Sequence, residues 1–315
     1  MWGGDHWRLE MNINGLGYGP SSAADFLAIS SFWVPEQDPP SAWVGHASFA
    51  FWLVDALKPR SIVELGVHSG FSYLAFCQAV RKLELDCVCR GIDTWKGDEH
   101  SGFYGEDVYQ GLCRAHRRYS GFSRLIRSTF SEARSQVPDG SIDLLHIDGC
   151  HHYEAVQRDF DMWKPKLSNR AVVLFHDTAE PSFGVGEFWK QLRDRYPHFE
   201  FSHARGLGIL GFGADMPTRL EQLFAAADVV LASEIIRTAY ERLGDAIIDR
   251  QRVKQLEQST SWRLTAPVRA AAKWARTLRG GRTVPLERSR CDCPSLTAQS
   301  VQTALSPSLT RAGSA

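Results

Sequence analysis

From residue 61 onward the chain alternates short apolar runs with longer amphipathic ones. Runs rich in Val, Ile and Leu occupy 61–66, 87–93, 123–128, 142–148 and 171–177. Between them, 72–83, 108–119, 153–163 and 185–196 carry apolar residues at helical spacing. Repeated β-α alternation predicts a parallel sheet covered by helices on both faces. Two more strands are predicted at 199–203 and 207–212. Only Ala204-Arg205-Gly206 separates them, a spacing that suits a tight antiparallel return at the sheet edge. The pattern divides the chain into an N-terminal extension (1–60), an α/β domain (61–213), a helical appendage (214–279) and a tail (280–315). The extension holds one predicted helix, 43–57, stopped by Lys58-Pro59-Arg60. Residues 218–258 read as helix throughout. Ile236, Tyr240, Leu243 and Ile247 form a stripe that docks on the core or on a second copy of the chain. The tail is rich in Ser, Thr, Pro and Arg and is expected to be disordered.

Formal net charge is zero over 315 residues, which gives no reason to expect nucleic acid as a partner. The balance is uneven, however. Nine Lys/Arg against two acids lie from Trp262 onward, so that part carries +7 and the remainder −7. The seven cysteines form no C-x-x-C pair, which fits free thiols in a reducing compartment. The first residues lack a basic segment followed by an apolar run, and no stretch is long enough to span a bilayer. A cytoplasmic protein is expected.

In a doubly wound sheet, ligands bind beyond the carboxyl ends of the strands. The first predicted strand ends in Glu64-Leu65-Gly66, and Gly66 and Gly70 flank the turn into the next helix. Glycine lets the backbone approach a ligand closely. The helix start beyond it offers N–H groups to an anion. A dinucleotide fingerprint needs glycine two residues after Gly66, and that position is His68. Asp93 ends the second strand, 93 − 70 = 23 residues past Gly70, where an acid can accept bonds from ribose hydroxyls.

Four segments together carry a resemblance: Val63-Glu64-Leu65-Gly66-Val67-His68-Ser69-Gly70, Gly91-Ile92-Asp93-Thr94-Trp95, His146-Ile147-Asp148-Gly149-Cys150-His151-His152-Tyr153-Glu154, and Phe175-His176-Asp177. They resemble class I S-adenosylmethionine (SAM)-dependent methyltransferases over roughly residues 43–213. The nearest likeness is to a small bacterial group associated with glycan and glycosyltransferase clusters, related to macrolide-sugar O-methyltransferases. The resemblance implies a Rossmann-like seven-stranded methyltransferase sheet with an antiparallel last strand. It implies that Glu64, Gly66 and Asp93 bind SAM, with Ser131 near the adenine; His68, Ser69, Gly70 and Asp148 complete the candidate cofactor contacts. Relatives often carry Asp or Asn where this chain has Cys150.

Methyl transfer to a hydroxyl needs in-line alignment and removal of a proton. The fourth strand delivers Asp148, His151 and His152 to the ligand edge. By resemblance to a D-G-x-H-x-Y pattern, His151 is the first candidate base and His152 the second; both could instead be polar residues capping the next helix. Asp148 and Asp177, with His176 beside them, could hold a divalent cation, and similar sugar methyltransferases often use Mg²⁺. The alternative is that the two acids bond backbone N–H groups or the acceptor directly. The loop 93–107 mixes aromatics, acids and glycines, a composition suited to sugars and to a closing lid, or simply an exposed loop whose Trp95 and Tyr104 pack locally. Residues 259–267 resemble a segment common at the ends of bacterial glycosyltransferases. The basic stretch 268–278, with Trp274, could lie on an anionic membrane surface. The expected function is O-methylation of a sugar or glycan hydroxyl. A nucleotide-sugar oxidoreductase and a non-catalytic scaffold in a glycan assembly complex are the alternatives.

Overall fold

A computed structural model describes residues 26–98 and 102–279. These fall into two compact units that divide between Glu257 and Gln258. In chain order the first unit contains α1 (Ala47–Leu57), β1 (Ser61–Leu65), α2 (Phe71–Lys82), β2 (Val88–Asp93), α3 (Glu106–His116), β3 (Ser123–Arg127) and a short α4 (Phe130–Ala133). It continues with β4 (Ile142–Ile147), α5 (Tyr153–Trp163), β5 (Leu167–His176), α6 (Val185–Arg193), β6 (His198–Phe201) and β7 (Leu207–Phe212). Helices α7 (Thr218–Ala227) and α8 (Val230–Gln258) follow. The second unit holds α9 (Thr260–Leu264) and α10 (Ala266–Arg279).

The seven strands form one sheet in the order β3-β2-β1-β4-β5-β7-β6. Every pairing is parallel except those of β7, which runs antiparallel to both β5 and β6. This is the Rossmann-like seven-stranded sheet with an antiparallel last strand that the sequence leads one to expect. Strand β1 is central and wholly buried, which is why its sequence, Ser-Ile-Val-Glu-Leu, does not alternate. Its last residue, Leu65, sits opposite Ile92 of β2 and Ile147 of β4, so three strand ends are level and the loops beyond them share one edge.

Two apolar layers cover the sheet. One joins α1, α2 and the buried side of α7 and α8. The other joins α5 and α6 to Val63, Leu65, Leu145, Val173 and Phe175. Ile236, Tyr240 and Ile247 lie in the first layer with Leu243 packed against it, so the stripe on α8 docks on the core.

Beyond shifts of a few residues at element ends, three segments differ from expectation. Residues 218–258 are not one helix: the chain breaks at Asp228-Val229 between α7 and α8. Asp is a poor interior helix residue because its side chain competes for backbone donors. Strand β5 starts at Leu167, four residues earlier than its apolar run, and the extra residues pair in part with β4 across a bulge. The segment Ala42–His46 is a 3₁₀ turn leading into α1. The expected disorder of 280–315 falls outside the described residues, as do the first residues of the chain.

Gly66 has φ of 89°, and a methyl group there would lie 2.0 Å from the carbonyl oxygen of Asp148. Gly140 also has positive φ (66°), but nothing lies within 4 Å of the same position. Gly66→Ala is therefore expected to cost on the order of 3 kcal/mol or more in urea unfolding, and Gly140→Ala about 1 kcal/mol. Equal losses at the two positions would refute the close approach of β1 and β4.

Candidate active site

The turn after β1 is held by one carboxylate. Asp93 Oδ2 accepts the backbone N–H groups of Val67 (2.9 Å) and His68 (2.8 Å), and Oδ1 accepts that of Trp95 (2.7 Å). The bonds tie the β1–α2 turn to the loop after β2 and let His68 (φ 49°) and Trp95 (φ 51°) hold left-handed conformations. Helix α2 begins after Gly70, which has no side chain to cap it. Ser69 Oγ donates to the carbonyl of Pro40. A cavity of about 350 Å³ opens beside Ser69, between residues 37–39 and α3.

Glu64 is fully buried. Ser72 Oγ donates to its Oε1 at 2.8 Å, and His146 Nδ1 lies 3.0 Å from its Oε2. Trp43 Nε1 donates to His146 Nε2 at 3.2 Å. An indole N–H can only donate, so Nε2 is the acceptor and Nδ1 carries the proton that goes to Glu64. Burial holds the Glu64 carboxyl above its ordinary range, against the pull of His146 and Ser72. The structure thus places Glu64 beneath the glycine turn with both oxygens engaged from inside the protein. Asp93 likewise spends its bonds on the backbone. Ser131 is exposed on α4, just past the end of β3, in a turn that Thr129 and Glu132 cap reciprocally.

At the ends of β4 and β5 the expected residues converge, in a different pattern from the one the sequence suggests. Asp148, His151 and Asp177 each offer a ligand atom, all within 4.8 Å of one another. His151 Nε2 lies 2.9 Å from Asp177 Oδ2 and 3.8 Å from Asp148 Oδ1, and its ring stacks on Phe183 at 4.3 Å. His176 sits behind this trio, with Nδ1 at 3.4 Å from Asp148 and 3.3 Å from Asp177 and Nε2 donating to the carbonyl of Ala204. The candidate cation set is accordingly Asp148, His151 and Asp177, with His176 as a buried backing charge. His152 stands apart: its carbonyl accepts the first N–H groups of α5, and its side chain is exposed.

Burial works against charge on both imidazoles, but the two carboxylates outweigh it. His151 is pushed up to about 9 and His176 to about 10. The same contacts hold Asp148 well below the carboxylate range and Asp177 below it, although burial alone would raise both.

The histidines and a strained turn brace this cluster. Ala204, Arg205 and Gly206 all have positive φ (47°, 67° and 91°). His46, wholly buried, also reaches the Ala204 carbonyl with Nε2 (3.3 Å) and packs edge-on to His176. Sequence reasoning gave no role to Trp43, His46 or His146. The only signal for them is a polar ring inside an apolar run, which must find a partner when buried. In the loop after β2, Trp95 is local core, donating Nε1 to the His68 carbonyl, so it offers no face to a sugar. Tyr104 packs edge-on to His68, and Phe103 is 82% exposed. His100 of that loop lies outside the described residues. Cys77, Cys87 and Cys89 are buried and free, and Cys150 is half-buried and free beside the trio.

Residues 63–178 match the family model of a methyltransferase domain. The match spans the ends of β1 to β5 just described. The uncharacterized protein y4gI of Sinorhizobium fredii is 50% identical over 188 residues, 59% of this chain and 21% of that protein. The chain thus spans about a fifth of the length of the curated relative it matches. Among solved structures, the S-adenosylhomocysteine-bound Podospora anserina methyltransferase PaMTH1 is 15% identical (TM-score 0.42), covering 57% of this chain and 90% of that one. The SAM-bound O-methyltransferase TomG of Streptomyces achromogenes is 14% identical (TM-score 0.41), covering 68% and 100%.

The pairing of raised imidazoles with lowered carboxylates has a pH signature. The imidazoles exceed their ordinary value of about 6.5, so their stabilisation is complete below that pH and is lost as pH rises through about 9 to 10. His176→Gln is expected to lower the thermal midpoint by on the order of 5 °C at pH 6.5. By pH 10 the gap between variant and wild type narrows. A gap independent of pH would show that His176 is not charged in the folded protein.

Proposed function

We propose that the chain is a SAM-dependent O-methyltransferase acting on a hydroxyl of a sugar or glycan intermediate. The observation that carries the reading is the Asp148–His151–Asp177 trio, set on two strand ends beside the glycine turn of a methyltransferase domain. The uncapped start of α2 suits the SAM carboxylate. The hydroxyl oxygen attacks the methyl carbon, the carbon–sulfur bond breaks, and the pair stays on sulfur to give S-adenosylhomocysteine. The hydroxyl proton passes to His151. Asp177 engages Nε2 of that ring and holds its orientation, as in other His–Asp pairs.

Two carboxylates and an imidazole at this spacing fit a divalent cation. When bound, such an ion would polarise the acceptor hydroxyl. The sugar acceptor draws support from the exposed aromatic Phe103 at the edge of the loop.

SAM and S-adenosylhomocysteine are expected to bind in isothermal titration, and absence of both would end the proposal. His151→Ala is expected to lower turnover about 10²–10⁴-fold with SAM affinity little changed. In metal-free enzyme, kcat/KM should climb with pH towards a midpoint near 9, because the base form grows as the proton leaves. A flat profile between pH 7 and 9.5 would remove His151 as the base. Activity that survives EDTA dialysis unchanged would remove the metal.

The second unit supports a separate proposal. No described helix is long and apolar enough to cross a membrane. Helix α10 nevertheless exposes Val268 and Trp274 beside Arg269 and Lys273, as a surface-lying helix does. Sedimentation with anionic vesicles should fall when 259–315 are deleted; unchanged sedimentation would refute contact through this part.

A further inference from the structure

A second cavity, about 340 Å³, opens at the edge of the sheet between α6, β6 and α8. Its lining includes Thr178, the residue after Asp177, and shares no side chain with the trio. Its walls carry Lys190, Arg193 and Arg237, with Thr178 and Ser202, against one carboxylate, Glu200. Three cations facing one acid leave an excess of +2.

Glu200 does not neutralise the cavity so much as set its walls. Its Oε2 takes the indole N–H of Trp189 at 2.6 Å, and its Oε1 lies 3.4 Å from Arg193. Arg237 Nε donates to the Glu200 carbonyl at 2.8 Å, and the guanidinium lies over the Phe199 ring at 5.2 Å. Two guanidiniums from different helices are thereby fixed on one residue of β6, with further N–H donors on each. Lys190 enters no ion pair among the described residues and is exposed at the same wall. Preset guanidiniums, an ammonium and two hydroxyls make the donor set that a phosphate group uses. The apolar parts of the wall, Trp189 and Phe201, are buried and offer no stacking face to a base.

We infer that this cavity binds a phosphate group. Its position one residue from Asp177 makes it a handle for a phosphorylated acceptor; free phosphate would use the same donors. The first source rests on the methyl-transfer reading, whereas phosphate binding itself does not.

Equilibrium binding of inorganic phosphate and of a hexose 1-phosphate to the full chain, without SAM, tests this. Both should bind saturably, and Lys190→Gln and Arg193→Gln should each weaken binding about tenfold or more while the circular dichroism spectrum and thermal midpoint stay unchanged. Hexose phosphate binding more tightly than phosphate marks a substrate handle; equal affinities mark a site for free phosphate. No saturable binding of either, or binding indifferent to both substitutions, would overturn the inference. A chain that binds phosphate but neither SAM nor S-adenosylhomocysteine would keep the site and lose the methyltransferase reading.

Discussion

The contact on which the site depends is the close approach of the ends of β1 and β4. Gly66 lies against the Asp148 carbonyl, and Asp148 N donates back to Leu65 at 2.9 Å. At φ of 89° a side chain on residue 66 would run into that carbonyl, and glycine supplies the gap. With it, the glycine turn and the acid–imidazole cluster become neighbours. Asp93 then fixes one side of this junction through three backbone N–H groups, and the buried Trp43–His146–Glu64–Ser72 chain fixes it from below.

Charge in the cluster is arranged in depth. His176 is enclosed and paired to both acids, while His151 pairs at the half-open front. Two carboxylates this close repel, and each imidazolium offsets that repulsion. The price is a candidate base that keeps its proton well above neutrality unless another positive charge enters.

The alternation of strands and helices was legible because a buried parallel sheet needs uninterrupted apolar runs, and β7 was legible from its three-residue return. Asp148, His151 and Asp177 could be found as polar residues at strand ends. Which imidazole faces which acid could not, because His151 and His176 differ only in how the chain turns after each strand. The protein partners of Glu64 and Asp93 were also hidden: their oxygens accept from Ser72, His146 and backbone amides. Trp95 could be read either as a binding face or as local core, and it is core, since nothing in a loop's composition says which aromatic turns inward.

The segment ahead of β1 lies outside the stretch that matches the methyltransferase family, which begins at residue 63. Trp43 and His46 nevertheless reach through it to His146, Ala204 and His176. The side chains that brace the cluster therefore extend beyond the matched stretch. Residues 63–178 taken alone would leave behind β6, β7 and the start of β1 together with Trp43 and His46, and the cluster would lose both its floor and the Ala204 turn.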